Sequence, residues 1–189
     1  LTRIEERNGP VNAFTVVRTQ AALAEADEVD AVGPSADRPL AGVPIVVKEE
    51  YDVTGDVTTL GGAGNSTPRT ADSEVVRRLR AAGAVIVGRT TMPEFGQFPF
   101  TESLATGVTR NPFHTGRSPG GSSGGEGAAL ASGQTPLGIG SDIGGSIRIP
   151  ASCCGIVGYM PPYGRVPDAP PYNLEPMSHT GPMTRSVAD

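Results

Sequence analysis

The chain has 189 residues, 37% of them apolar, with 26 Gly, 18 Pro and a formal charge of −5. That length is enough for one domain, or a large part of one, with a sizeable core, and no apolar stretch approaches the roughly 20 residues that span a bilayer. An acidic balance without a basic cluster argues against nucleic acid as a partner.

Leu1–Arg7 reads as the last turns of a helix ended by Asn8-Gly9-Pro10. Asn12–Val17 follows as a strand, Arg18–Asp30 as a helix rich in Ala and Glu, and Val32–Pro39 as a polar linker. Val43–Val47 is a short apolar strand of the kind buried on both faces in a parallel sheet. Asp72 or Ser73 can cap a helix running through Arg80, with Val75, Val76 and Leu79 on one face and Gly83 at its end. Ala84–Val87 is the next strand, and Pro93-Glu94 opens a short helix. Beyond the Gly-rich Ser118–Gly127, Glu126–Ser132 reads as a helix of small residues that another element can approach closely. Pro136–Ser141 and Cys154–Tyr159 are expected strands, and a new helix capped by Thr184 is expected to begin within Ser178–Asp189. Strands alternating with helices imply one α/β domain with a mostly parallel or mixed sheet. The end at Asp189 reads as the cut edge of a longer protein.

The only cysteines, Cys153 and Cys154, are adjacent and poorly placed to pair, so they read as small buried residues in a reducing, cytoplasmic compartment. No charged segment followed by an apolar run marks a signal peptide. His114 and His179, the only histidines, read as loop or surface positions and cannot build a His-rich zinc site; no metal and no cofactor is expected. Of the 15 basic residues, 14 are Arg and one is Lys48, at the end of the apolar run Gly42-Val-Pro-Ile-Val-Val47. A desolvated lysine can lose its proton near neutrality and act as a base, which arginine cannot do. The plainer reading is a lysine whose stem packs at a strand end while its head stays wet.

Arg117-Ser-Pro-Gly-Gly-Ser-Ser-Gly-Gly-Glu-Gly127 admits several readings. A phosphate cradle would need a Lys-Ser/Thr pair after the glycines, and none is there. A nucleophile elbow centred on Ser123 in Gly121–Gly125, with His179 as base and Asp142 or Asp168 as acid, would need a core strand just before it. A flexible linker fits poorly with the helix behind it. A third chemical reading joins this segment to Lys48 and to Gly138-Ile-Gly-Ser-Asp-Ile-Gly-Gly-Ser-Ile-Arg-Ile-Pro150, whose paired glycines can aim backbone N–H groups at one point, as an oxyanion hole requires.

Gly120-Gly-Ser-Ser-Gly-Gly-Glu-Gly followed by Gly140-Ser-Asp-Ile-Gly-Gly-Ser-Ile-Arg-Ile-Pro-Ala151 closely resembles the amidase signature family. The likeness extends to Gly42–Lys48, to Gly88-Arg-Thr-Thr-Met-Pro-Glu-Phe95, to Tyr163-Gly-Arg-Val166 and to Ser178–Asp189. It implies an α/β amidase-signature fold with a central mixed sheet flanked by helices, incomplete at the C-terminal end over residues 1–189. It also implies hydrolysis of linear carboxamides by a Ser–Ser–Lys triad: Ser146 as nucleophile, Ser122 as bridging serine after a cis Gly121–Ser122 bond, and Lys48 as base. Backbone N–H groups of Ile143, Gly144, Gly145 and Ser146 would bind the oxyanion. Asp142 and Arg148 would brace the turn as an ion pair, and Ser123 would either assist the bridge or bond to backbone. Glu126 reads as a partner of its helix N-terminus, and Glu49 and Glu50 should face away from Lys48. Glu49, Thr91 and Met160-Pro-Pro162 stand where family members commonly carry Asp, Asn and Lys-Pro-Thr. The expected partner is a small-molecule amide, with a homo-oligomer left open. Two alternatives stay open: a non-catalytic fragment needing the rest of the family domain, and an amidotransferase subunit that releases ammonia from glutamine.

Overall fold

The computed structural model describes residues 1–167 and 175–189. Asp168, the second acid considered for an elbow, lies outside the described residues. Among those described, five α-helices flank one mixed six-stranded sheet. In chain order they are α1 (Thr2–Val11), β1 (Phe14–Val17), α2 (Thr19–Val32), β2 (Pro44–Lys48), α3 (Glu74–Ala81) and β3 (Val85–Thr90). A two-stranded ribbon of β4 (Glu102–Ser103) and β5 (Gly107–Val108) precedes α4 (Gly124–Ala131), β6 (Leu137–Asp142), α5 (Arg148–Cys154), β7 (Val157–Gly158) and β8 (His179–Thr184).

Strand order in the large sheet is β1-β3-β2-β6-β8-β7. The three apolar strands lie together, β2 parallel to both β3 and β6, and β1, β8 and β7 extend the sheet antiparallel. Buried on both faces, β2 alternates between two cores, as an apolar strand covered by helices must. Val46 packs with Val85 and Val87 against Ala128 and Ala129 of α4 and Ile4 and Val11 of α1. Ile45 and Val47 pack with Ile86 and Ile139 against Val75 and Val76 of α3. Small residues let α4 lie hard on the sheet: a Cβ on Gly125 would sit 2.5 Å from the backbone N and O of Thr91.

Five expectations need correction. The first helix does not stop at Asn8-Gly9-Pro10 but holds Pro10 in its last turn and ends at Asn12, where the left-handed backbone donates to Asn8 O at 2.7 Å. The Asn8 side chain also accepts from Ala13 N at 2.7 Å, so the end is capped although Pro10 brings no N–H. Cys154 belongs to α5 rather than to a strand. Pro150 falls within the first turn of that helix, where backbone N–H groups lack helical partners anyway, and left-handed Gly155 stops it. Residues 179–184 form no helix start; they are a six-residue strand paired with all of β6, which overrides the low strand tendency of Gly181-Pro182. Cys153 is exposed, whereas Cys154 is buried. The expected start of α3 is right, yet neither side chain caps it: Ser73 Oγ donates to Asp52 O, and Asp72 accepts from Thr54. Among the described residues no helix is long and apolar enough to cross a membrane.

Candidate active site

The carboxyl ends of β2, β3 and β6 converge with the start of α4, the place where open α/β sheets form their clefts. Lys48, the last residue of β2, is 0% exposed. Its Nζ donates to Ser122 Oγ at 2.8 Å and to Ser141 Oγ at 2.7 Å. Ser122 is buried just before α4, and the Gly121–Ser122 peptide is cis. No core strand leads directly into this segment, so the context that an elbow at Ser123 would require is absent. Ser123 bonds backbone instead: its N–H donates to Ser146 O at 3.1 Å and its Oγ to Ser141 O at 3.3 Å. The first of these bonds ties the turn carrying Ser146 to the segment carrying Ser122. Ser146 is half-buried and borders a cleft of about 250 Å³ together with Gly121, Ile143, Gly144, Phe98 and Ile149.

Asp142 organises that turn. Its carboxylate accepts from the N–H groups of Gly145 (2.7 Å), Ile147 (3.1 Å) and Arg148 (3.2 Å), and from the Arg148 guanidinium at 2.9 and 3.0 Å. Burial alone would raise its pKa, but the guanidinium and three backbone donors win and hold it at about 2. Gly145, expected among the oxyanion donors, therefore has its N–H already bonded. Ile143, Gly144 and Ser146 are the members of that set that border the cleft.

The surroundings of Lys48 differ from expectation in one respect. Glu49 does face away, accepting from Thr59 N and Gly61 N at 2.6 Å each, with buried Arg89 3.7 Å from it. Glu50 does not: its Oε1 lies 3.6 Å from Lys48 Nζ. The two-residue period of extended chain turns Glu49 away from Lys48 and returns Glu50 to its side, even though β2 itself ends at Lys48. Glu126 stands in the first turn of α4, as expected of a partner of that helix N-terminus, but on its buried side. It is 0% exposed and hydrogen-bonded to Thr90 Oγ1, and burial pushes its carboxyl up to about 8. His179 sits on β8 rather than in a loop, its Nδ1 3.3 Å from Asp142 O and its ring edge-on to Tyr163. Sequence reasoning missed Ser141 and Thr90; the signal for Ser141 was its position beside Asp142 inside the second Gly-rich segment.

The amidase family model matches residues 1–189, the whole chain. The chain belongs to the amidase signature family. It is 46% identical to a glutamyl-tRNA(Gln) amidotransferase subunit of Nitratidesulfovibrio vulgaris (strain DP4), covering 100% of this chain and 39% of that protein. Among solved structures, a bacterial aryl acylamidase of the amidase signature family superimposes with a TM-score of 0.90 at 32% identity, over 99% of this chain and 40% of that one. A 6-aminohexanoate cyclic dimer hydrolase complexed with substrate gives 0.88 at 37% identity, over 98% and 39%. The chain spans about two fifths of the length of the curated relatives it matches. Family members thus include hydrolases of amides and one component of a larger assembly.

Proposed function

We propose that this chain carries the acyl-transfer centre of an amidohydrolase, with Ser146 as nucleophile, Ser122 as proton bridge and Lys48 as base. The observation that carries the reading is the fully buried Lys48 Nζ bonded to Ser122 Oγ at 2.8 Å. A serine hydroxyl attacks poorly until a base takes its proton. Neutral Lys48 takes the proton of Ser122 as Ser122 takes that of Ser146, and Ser146 Oγ bonds to the carboxamide carbon. Backbone N–H groups around Ile143, Gly144 and Ser146 hold the negative oxygen; loss of one such donor typically costs about 3 kcal/mol of transition-state stabilisation. The proton returns through Ser122 to the leaving nitrogen, the C–N bond breaks, and water then releases the acyl group by the reverse relay. Linear carboxamides are the first substrates to test, and the same steps would open a cyclic amide. A reducing compartment such as the cytoplasm suits the two free thiols.

Intact mass after treatment with a fluorophosphonate tests the reading. One adduct is expected on the wild-type chain and none on Ser146→Ala. An adduct that persists in the variant would overturn the assignment of the nucleophile. A folded wild-type chain that takes no adduct would favour a span inactive without the rest of a longer protein. The 46% identity to a component of an amidotransferase supports a second reading, in which glutamine is the amide and ammonia appears only when partner chains are present.

A further inference from the structure

We infer that Glu126 works as a protonated carboxylic acid beneath Lys48, a positioning residue that keeps the buried floor of the site free of negative charge. The inference rests on the proposed role of Lys48, but its structural basis is separate. Thr90 Oγ1 lies within hydrogen-bond reach of two oxygens, Glu126 Oε1 and Val47 O, the latter at 3.3 Å. A threonine hydroxyl has one proton to give. With Glu126 ionised, Thr90 gives its one proton to the carboxylate and loses the hydrogen bond to Val47 O, a carbonyl that also pairs within the β2–β3 ladder. With Glu126 protonated, the acid donates to Thr90 Oγ1 and Thr90 donates to Val47 O, so both contacts are complete. The other carboxyl oxygen, Oε2, is buried and has no hydrogen-bond partner among the described residues. An orphan oxygen is far more tolerable on a neutral acid than on a carboxylate.

The elements packed around Glu126 support the same state. Lys48 and Glu50, at the end of β2, are the charged groups whose fields reach it, and they act in opposite directions. From β3 comes neutral Thr90, and from β6 the backbone of Gly138, whose added Cβ would meet Glu126 Cγ at 3.2 Å. α5 sets the Cys154 thiol against Gly127, α1 sends Arg7 to Ser132 O beyond the far end of α4, and β8 contributes buried Met183. Burial favours the neutral acid up to about pH 8. An ionised Glu126 would add a second negative charge to that of Glu50 and hold the proton on Lys48, which a base must be able to lose.

Glutamine is the neutral isostere and donates to Thr90 as the acid does; leucine keeps the volume and removes the donor. The expected result is that Glu126→Gln retains at least about a third of the wild-type fluorophosphonate labelling rate near neutral pH, while Glu126→Leu loses about tenfold. Because wild-type Glu126 ionises near pH 8, the ratio of the Gln variant's rate to the wild type's should rise about threefold or more between about pH 7 and 9. A tenfold loss in Glu126→Gln near neutral pH, or a ratio flat with pH, would overturn the inference. If no form of the chain is labelled, difference infrared spectroscopy decides it. The carbonyl stretch of a protonated carboxyl should be present near neutral pH, fade above about pH 8 and be absent from Glu126→Gln. Absence of that band from the folded wild type would refute the protonated acid whatever becomes of the amidase reading.

Discussion

At the residue scale, Lys48 drew attention because it is the single lysine among 15 basic residues and ends an apolar run. Its burial turns that oddity into chemistry, since a 0% exposed lysine needs polar partners and finds two serines and Glu50. Lys48→Ala should lower the labelling rate by about 10²–10⁴-fold, the usual effect of removing a general base, and Lys48→Arg should not restore it because guanidinium cannot accept the proton. A wild-type rate in the arginine variant would remove lysine from the mechanism. Asp142 is the structural counterpart. Its carboxyl falls from an ordinary 3.8 to about 2, so the unfolded chain binds the proton more readily and the group stabilises the fold above its unfolded pKa. That contribution, about 1–2 kcal/mol once screening at the half-exposed Arg148 is allowed for, should be lost as pH falls from about 4 towards 2. Acid unfolding of Asp142→Asn, followed by circular dichroism, should lack that component. The Asp142–Arg148 pairing was legible in the motif, whereas Ser141 at the lysine was not, because nothing in local spacing says which side chains meet across strands; Glu50, two residues from Lys48, follows the strand period and was misread.

At the element scale, the periodic segments were legible and the short irregular ones were not. β2, β3, β6, α2 and α3 carry their apolar residues at strand or helix spacing, and each forms within two or three residues of its expected span. α5 has seven residues with a proline among them, and β8 contains Gly181-Pro182; neither has a local pattern strong enough to show. Both exist because a neighbour satisfies them, α5 by packing on α4 and β8 by pairing with β6. The small-residue helix α4 is the element on which the candidate site most depends, since it begins one residue after Ser123 and its first turn lies against Thr91. Gly125→Ala would push a methyl group into the Thr91 backbone, and neither the helix nor the strand end can give way cheaply. A loss of about 1–3 kcal/mol in urea unfolding is expected, with a loss of labelling as Ser122 moves away from Lys48. Unchanged stability would mean that α4 is not held as tightly as the geometry implies.

At the scale of the whole molecule, two cores on opposite faces of one sheet hold the strand ends in register. The cysteines report on that packing. Cys153 is exposed, while burial pushes the Cys154 thiol up to about 12 beneath the Pro119 carbonyl it approaches at 3.5 Å. Iodoacetamide should therefore add once to the native chain and twice in denaturant; two rapid additions to the native chain would show that the α4–α5 packing is loose. By itself the sequence determined the family, the α/β class, the three buried strands and the lone lysine at a strand end, because motif spacing and hydrophobic period are local and survive without neighbours. The tertiary structure decided what the local signal lacks. It turned residues 179–184 into a strand beside β6, brought Ser141 to Lys48, committed the Gly145 N–H to Asp142, and buried Glu126 where a charge is disfavoured. Each of these depends on groups distant in the chain, or beyond the end of a regular element, sharing one desolvated space, and only packing fixes which groups those are.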